Sequence, residues 1–455
     1  MAATTSSNNA LHSRIARQSP EWLTRGVMYQ VWLRSFTPEG TLRAATEKLA
    51  HVAGTGATII YLSPVCLQDD DIRQEFWSER QKKCGFNNPK NPYRIKDYNA
   101  VDPEYGTDDD LRAFVNEAHR LGMRVLLDLV YFHCGPTSVL MEHPGYFKKN
   151  PDGTIATGEW HFPVLNYESP ELREYMWKNM ERWITDFDMD GFRCDVSDAV
   201  PLDFWEEARA RLTPLRPDLV ILAEGERAAD QLSAFDIDYG FSWYYVTRDV
   251  FAGKKNASEM RTLWQRVASE RPRGNRVLRF TENHDFANDT GTNRVETMWG
   301  SAGAEAMLAV NFTLDGVPFI YNGQEIADAS PQSIYTRLPV HWELMTQAKA
   351  KSRLAFCRDL CRLRGTERAL SQGDVVWIDN NQPDSVLSFI RAIGNEQIAV
   401  IVNLSKLPVK TSIAVENISA FEPLMTRGTT CTMTAQDKGD FILGAYGFYI
   451  GTCKK

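Results

Sequence analysis

Three acids stand where apolar runs end. Asp195 closes GFRCD, Glu224 closes LVILAE, and Asp285 follows RVLRF at the end of TENHD. Carboxyl groups that converge can divide acid, base and nucleophile roles, and two suffice to cleave a glycosidic bond. One attacks the anomeric carbon, while the other protonates the departing oxygen and then activates water. The attacking group must stay ionised. Arg193 stands two residues before Asp195, on the same strand face, and supplies a compensating charge. Apolar flanks around Glu224, with Asp195 nearby, favour a raised pKa there. His133 follows LLDLVYF, and His284 directly precedes Asp285. No histidine pair has metal-ligand spacing, so neither a metal nor a cofactor is expected. A lone aspartate at a strand end is commonly a turn or cap residue. The pattern by itself therefore implies a barrel enzyme with acid chemistry and no more.

The acids need a scaffold that brings strand ends together. VMYQVWLR (27–34), ATIIYL (57–62), RVLLDLV (124–130), GFRCDV (191–196), LVILAE (219–224), RVLRF (276–280) and GVPFIY (316–321) read as strands buried on both faces. An eighth, weaker strand is placed near IDYGFSWYY (237–245). Helical patterns lie between them. Thr107 and Asp110 form a capping box, with Gly122 as a stop. Ser169-Pro170 opens a second helix, whose Met176, Met180, Trp183 and Phe187 recur at packing intervals. Strands alternating with helices predict an α/β fold, a (β/α)8 TIM barrel whose active site lies at the carboxyl ends of its strands. VVWID, SVLSFI, IAVIVNLS and FILGAYGFYIG then predict a C-terminal antiparallel β-sandwich. The expected division is an unstructured arm over 1–20, a barrel over 21–368 and a β domain over 369–455.

The net charge of −8 disfavours nucleic-acid binding. A small uncharged substrate fits it better. The eight cysteines are scattered, without a CxxC pair. Cys66 and Cys84 bracket a polar loop and could pair in an oxidising compartment. The N-terminus has no apolar signal core, and no run is long enough to cross a bilayer, so a cytoplasmic location is expected. The oligomeric state is left open.

These motifs resemble the α-amylase superfamily, glycoside hydrolase family 13. The likeness runs from Gly26 to Trp342. DLVYFH (128–133), GFRCDV, ILAEGE (221–226) and FTENHD (280–285) resemble its four best-known regions, in order. PVLNY (163–167), NPYRIKDYNAVDPEYGT (91–107), GVPFIYNGQE (316–325) and RLPVHW (337–342) add to the match. The resemblance implies that Asp195 is the nucleophile, Glu224 the acid/base and Asp285 the transition-state stabiliser. It pairs Arg193 with the nucleophile, places His133 and His284 on the sugar bound at the cleavage point, and stacks Tyr93 on that sugar.

Some positions depart from the family. Phe132 replaces an asparagine, and Asp198 and Ala199 replace a Lys-His pair. The family's structural calcium therefore lacks an oxygen ligand here. The segment 134–165 is short and reads as a reduced B-domain loop, whereas the Gln68–Asn91 loop is long and charged, suited either to shaping the cleft or to coating the surface. Val196 after the nucleophile goes with α-1,6 linkages in some related α-glucosidases. The function implied is retaining hydrolysis of α-glucosidic bonds in malto- or isomalto-oligosaccharides or starch fragments. A transglycosylase or isomerase with the same triad is the rival reading. A non-catalytic carbohydrate-binding subunit is a remoter one, since it predicts the loss of triad acids.

Overall fold

The computed structural model describes residues 11–287 and 289–454. Eight parallel strands close into a barrel: β1 (Met28–Val31), β2 (Ile59–Leu62), β3 (Arg124–Leu129), β4 (Gly191–Cys194), β5 (Val220–Ala223), β6 (Ile237–Tyr239), β7 (Val277–Arg279) and β8 (Val317–Tyr321). Each strand pairs with its neighbours in chain order, and β8 pairs with β1. The strands are buried throughout, which accounts for apolar runs without alternation. The sixth strand is shorter than the sequence suggested. It ends at Tyr239, and FSWYY opens the helix Phe241–Phe251. An unbroken apolar run hides that boundary.

Helices cover the barrel as expected. Thr107 Oγ1 accepts from Asp110 N–H, and Asp110 Oδ2 accepts from Thr107 N–H, completing the capping box of helix Asp108–Arg120. Ser169 caps Leu172 N–H at the start of Pro170–Phe187, whose Met176, Met180, Trp183 and Phe187 are buried. The β5–β6 crossover carries only a short 3-10 turn, Asp230–Leu232. The first ten residues lie outside the described residues. Residues 11–20 are not a loose arm: Ala16 and Arg17 donate backbone hydrogen bonds to Arg273 and Gln231, and Arg17 pairs with Asp236 at the amino end of the barrel.

The C-terminal antiparallel domain forms one six-stranded sheet, built from β9 (Asp374–Trp377), β10 (Val386–Ile393), β11 (Glu396–Asn403), β12 (Val409–Ala414), β13 (Glu422–Ala435) and β14 (Lys438–Lys454). The seventeen-residue β14 pairs along its length with β13. Its first half also pairs with β12 and its second half with β11. Gly428, at φ +53°, faces Gly444 and Gly447 where β14 changes partner. One face packs Phe389, Val400, Phe448 and Ile450 against the barrel helix Gly300–Thr313. Cys66 and Cys84 are unpaired thiols. Each donates locally, to Tyr98 O and Gln81 O. Among the described residues, no helix is long and apolar enough to cross a membrane.

Candidate active site

The register of β3 and β4 sets Asp128 beside Arg193, both facing the barrel interior. There Arg193, fully buried, lies within 6 Å of the rings of Tyr61, Tyr93 and Tyr239. Its Nη1 donates to Asp128 Oδ1 at 2.7 Å and to Asp195 Oδ1 at 2.8 Å. Its Nη2 stands 2.6 Å from Glu224 Oε1. One guanidinium thus links three carboxyl groups. Burial opposes its charge, but Asp128 and Glu224 outweigh that and hold its pKa well above the ordinary arginine range. Asp128 is itself fixed: its Oδ2 accepts from Tyr61 OH at 2.7 Å and from Tyr93 OH at 3.0 Å.

Asp195 and Glu224 directly follow β4 and β5. Glu224 Oε2 accepts the Val196 N–H at 2.7 Å. Val196 reaches this position in a left-handed conformation, φ +45° and ψ +42°, which a β-branched residue adopts at a cost in strain. Burial pushes the Asp195 carboxyl well above the usual carboxylate range, with Glu224 adding to it and Arg193 opposing. Burial also raises Glu224, with Asp285 adding and Arg193 opposing. One cation facing three carboxyl groups leaves surplus negative charge, so Asp195 and Glu224 resist being ionised together.

Asp285 differs in exposure, 38% of its side chain against 8% for Asp195. Desolvation pushes its pKa up, but His284, Arg80 and Arg193 together outweigh that and leave it below the usual range. Arg80 Nη1 donates to Asp285 Oδ1 at 3.2 Å. His284 stacks on Trp32 at 4.7 Å between ring centres. The Gln30 amide donates to its Nδ1 at 2.8 Å, so its Nε2–H faces the Tyr93 hydroxyl at 2.6 Å. Burial depresses the His284 pKa to about 4 and that of His133 to about 3, keeping both rings neutral.

A cavity of about 460 Å³ opens over this cluster, and Tyr93, His133, Asp195, Glu224 and Asp285 line it. Arg193 and His284 lie behind that lining, so His284 holds Tyr93 and Asp285 in place rather than forming the wall. The Gln68–Asn91 loop shapes the cleft, contributing Ser78, Arg80 and Asn91 to its wall. The 134–165 loop adds Trp160 and Phe162, next to His133. Asp128, Arg80 and Tyr335 escaped the sequence reading. Only Asp128 left a signal there, as a charge inside the apolar run RVLLDLV. A calcium ion does not fit the departing positions. The Phe132 ring packs on His133 and Trp160, Ala199 offers no side-chain oxygen, and Asp198 Oδ2 already accepts the Glu226 N–H. Chemically, the pocket offers two carboxyl groups of raised pKa and a third of lowered pKa, set over the Arg193 guanidinium and the aromatic rings around it.

Comparison with known proteins follows the same lines. The Alpha amylase, catalytic domain profile matches residues 5–152 and 155–382. A cyclomaltodextrinase of Geobacillus thermopakistaniensis is 26% identical over 450 residues, spanning 87% of this chain and 71% of that protein. The intracellular maltogenic amylase of Bacillus subtilis is 25% identical, spanning 90% and 73%. The solved structure of a noncanonic maltogenic alpha-amylase, AmyB from Thermotoga neapolitana, superposes with a TM-score of 0.80 at 26% identity, covering 95% of this chain and 99% of that one. With that profile covering most of the chain, on a barrel whose strand ends converge on acids, the protein belongs to the alpha-amylase family of glycoside hydrolases.

Proposed function

We propose that the protein hydrolyses α-glucosidic bonds of malto- or isomalto-type oligosaccharides, or of starch fragments, with retention of configuration. Asp195 attacks the anomeric carbon while Glu224 gives its proton to the departing oxygen. Glu224 then takes a proton from water, and the water oxygen displaces Asp195. Asp285 grips hydroxyls as the ring flattens. Tyr93 offers its ring to the apolar sugar face, and His133 and His284 steady the same subsite, His284 through Tyr93 and Asp285.

The observation that carries this reading is the single Arg193 guanidinium in contact with both Asp195 and Glu224. Sharing one guanidinium draws the two carboxyl groups together, which favours a retaining site, with its spacing of about 5–5.5 Å, over the wider inverting one. The names of the relatives, a cyclomaltodextrinase and a maltogenic amylase among them, support the substrate class.

Asp195→Asn is expected to cut turnover by a factor on the order of 10^4–10^6 while leaving the fold intact. Near-normal activity in that variant sinks the assignment. A fluorinated glucosyl donor should leave its sugar on Asp195, read as a mass increase on the peptide carrying it. Proton NMR of the first product should show the α-anomer; a β-anomer refutes retention. A panel of maltose, isomaltose, sucrose, trehalose, panose, pullulan and soluble starch then separates linkages, and hydrolysis from transfer.

A further inference from the structure

The connections that follow β2 and β8 are sewn together over the end of β1. Ser78 Oγ lies 3.0 Å from the Tyr335 hydroxyl, and Asn88 Nδ2 donates to Tyr335 O at 2.7 Å. The Arg80 guanidinium lies 5.6 Å from the centre of the Tyr335 ring. It also pairs with Asp289 at 3.1 Å and with Asp285 at 3.2 Å, both on the connection after β7. Residues that follow β1 brace the seam from below. Trp32 Nε1 donates to Ser333 O, while Arg34 donates both to Ile334 O and to Gln68 Oε1. Ser78 and Tyr335 are buried. Polar contacts this dense, on a rigid strand end, make a fixed wall rather than a mobile flap.

Its position relative to the chemistry follows from the order of the strands around the mouth. β8, β1 and β2 are consecutive in the ring, and β5, which carries Glu224, lies across from them. An acid that protonates the departing oxygen must face the leaving sugar. The leaving side therefore opens past Glu224, toward Asp198, Glu226 and Phe241 on the cavity wall. The sugar that stays on Asp195 points the other way, toward Tyr93, Asp285 and the seam. Arg80 touches Asp285, the carboxylate assigned to that sugar, and Ser78, Arg80 and Tyr335 of the seam themselves line the cavity on this side.

We propose that the seam formed by Ser78, Arg80 and Asn88 with Tyr335 and Asp289 ends the cleft after one sugar, making the protein an exo-acting enzyme that requires a free non-reducing end. The inference rests on the roles given above to Asp195, Glu224 and Asp285. It assigns specificity to the seam and not to the catalytic acids.

The test uses maltohexaose or isomaltohexaose, whichever the wild type cleaves, with and without a 4,6-O-benzylidene group on the non-reducing sugar. The wild type should shorten the open chain by one glucose at a time. It should cleave the blocked chain at least about 100-fold more slowly, and it should leave β-cyclodextrin, which has no end, intact. Internal cleavage of the blocked chain, or opening of the cyclodextrin, at a rate near that on the open chain overturns the inference while leaving the catalytic roles standing. No hydrolysis of any chain overturns both. Ser78→Ala and Asn88→Ala, separately and together, should raise the blocked-to-open rate ratio by about tenfold or more as the wall loosens. An unchanged ratio in variants whose circular dichroism matches wild type overturns the assignment of the limit to this seam.

Discussion

Arg193 meets Asp128, Asp195 and Glu224 at once, so its geometry matters as much as its charge. Lysine would keep the charge but lose the planar fork. Arg193→Lys is expected to lower kcat about 100-fold, the cost of a small misplacement of reacting groups. A lysine variant with wild-type kcat would show that charge alone suffices. The raised pKa of Glu224 has a direct kinetic sign. The proton it donates is lost only above the usual carboxylate range, so kcat/KM should fall on the alkaline side through that raised value. Glu224→Gln should abolish this limb and lower the rate by about 10^2–10^4; a limb that persists would place the proton elsewhere. His133 and His284 act on stability instead. Their folded pKa values, about 3 and about 4, lie below the unfolded value near 6.5. The unfolded chain binds more protons between these limits. The stabilisation is therefore fully present above pH 6.5 and is lost as pH falls toward 4 and then 3. Denaturant midpoints measured at pH 7, 5 and 4 should drop in that order, and less steeply for His284→Gln.

Strand ends set where the acids stand, and the start of β4 shows how little freedom they have. Gly191 opens β4 at φ +154°, and a Cβ there would come within 1.8 Å of Val220 O. Gly191→Ala should therefore destabilise by about 3 kcal/mol or more, measured as a fall in the denaturation midpoint with β5 forced outward. An unchanged midpoint would mean that β4 and β5 can separate freely. The buried strands were readable from sequence because both faces are apolar, and the acids because polarity returns where those runs stop. Asp128 was harder to read, since a single charge inside an apolar strand shows its role only once Arg193 is found beside it. Contacts such as Ser78 with Tyr335 join residues 257 positions apart and leave no local pattern. The Ser/Asn-rich composition before Leu11 likewise gave no hint that Ala16 and Arg17 would bond to the barrel.

At the scale of the whole molecule, barrel and sheet share one apolar boundary. Helix Gly300–Thr313 is buried along most of its length, with the barrel on one side and Phe389, Val400 and Phe448 on the other. Ending the chain after Gly373 would uncover that helix, and the fragment should aggregate. Calorimetry of the intact protein should show a single transition; two well-separated transitions would mean that the sheet is only loosely attached. The seam over β1 has a consequence in time as well as in space. It joins residues near 32, 80 and 335, so the pocket cannot form until residue 335 has left the ribosome. A ribosome that has released only the first three hundred residues carries every carboxylate and no enclosed site. Competence then arrives late and all at once, when the last strand closes the ring.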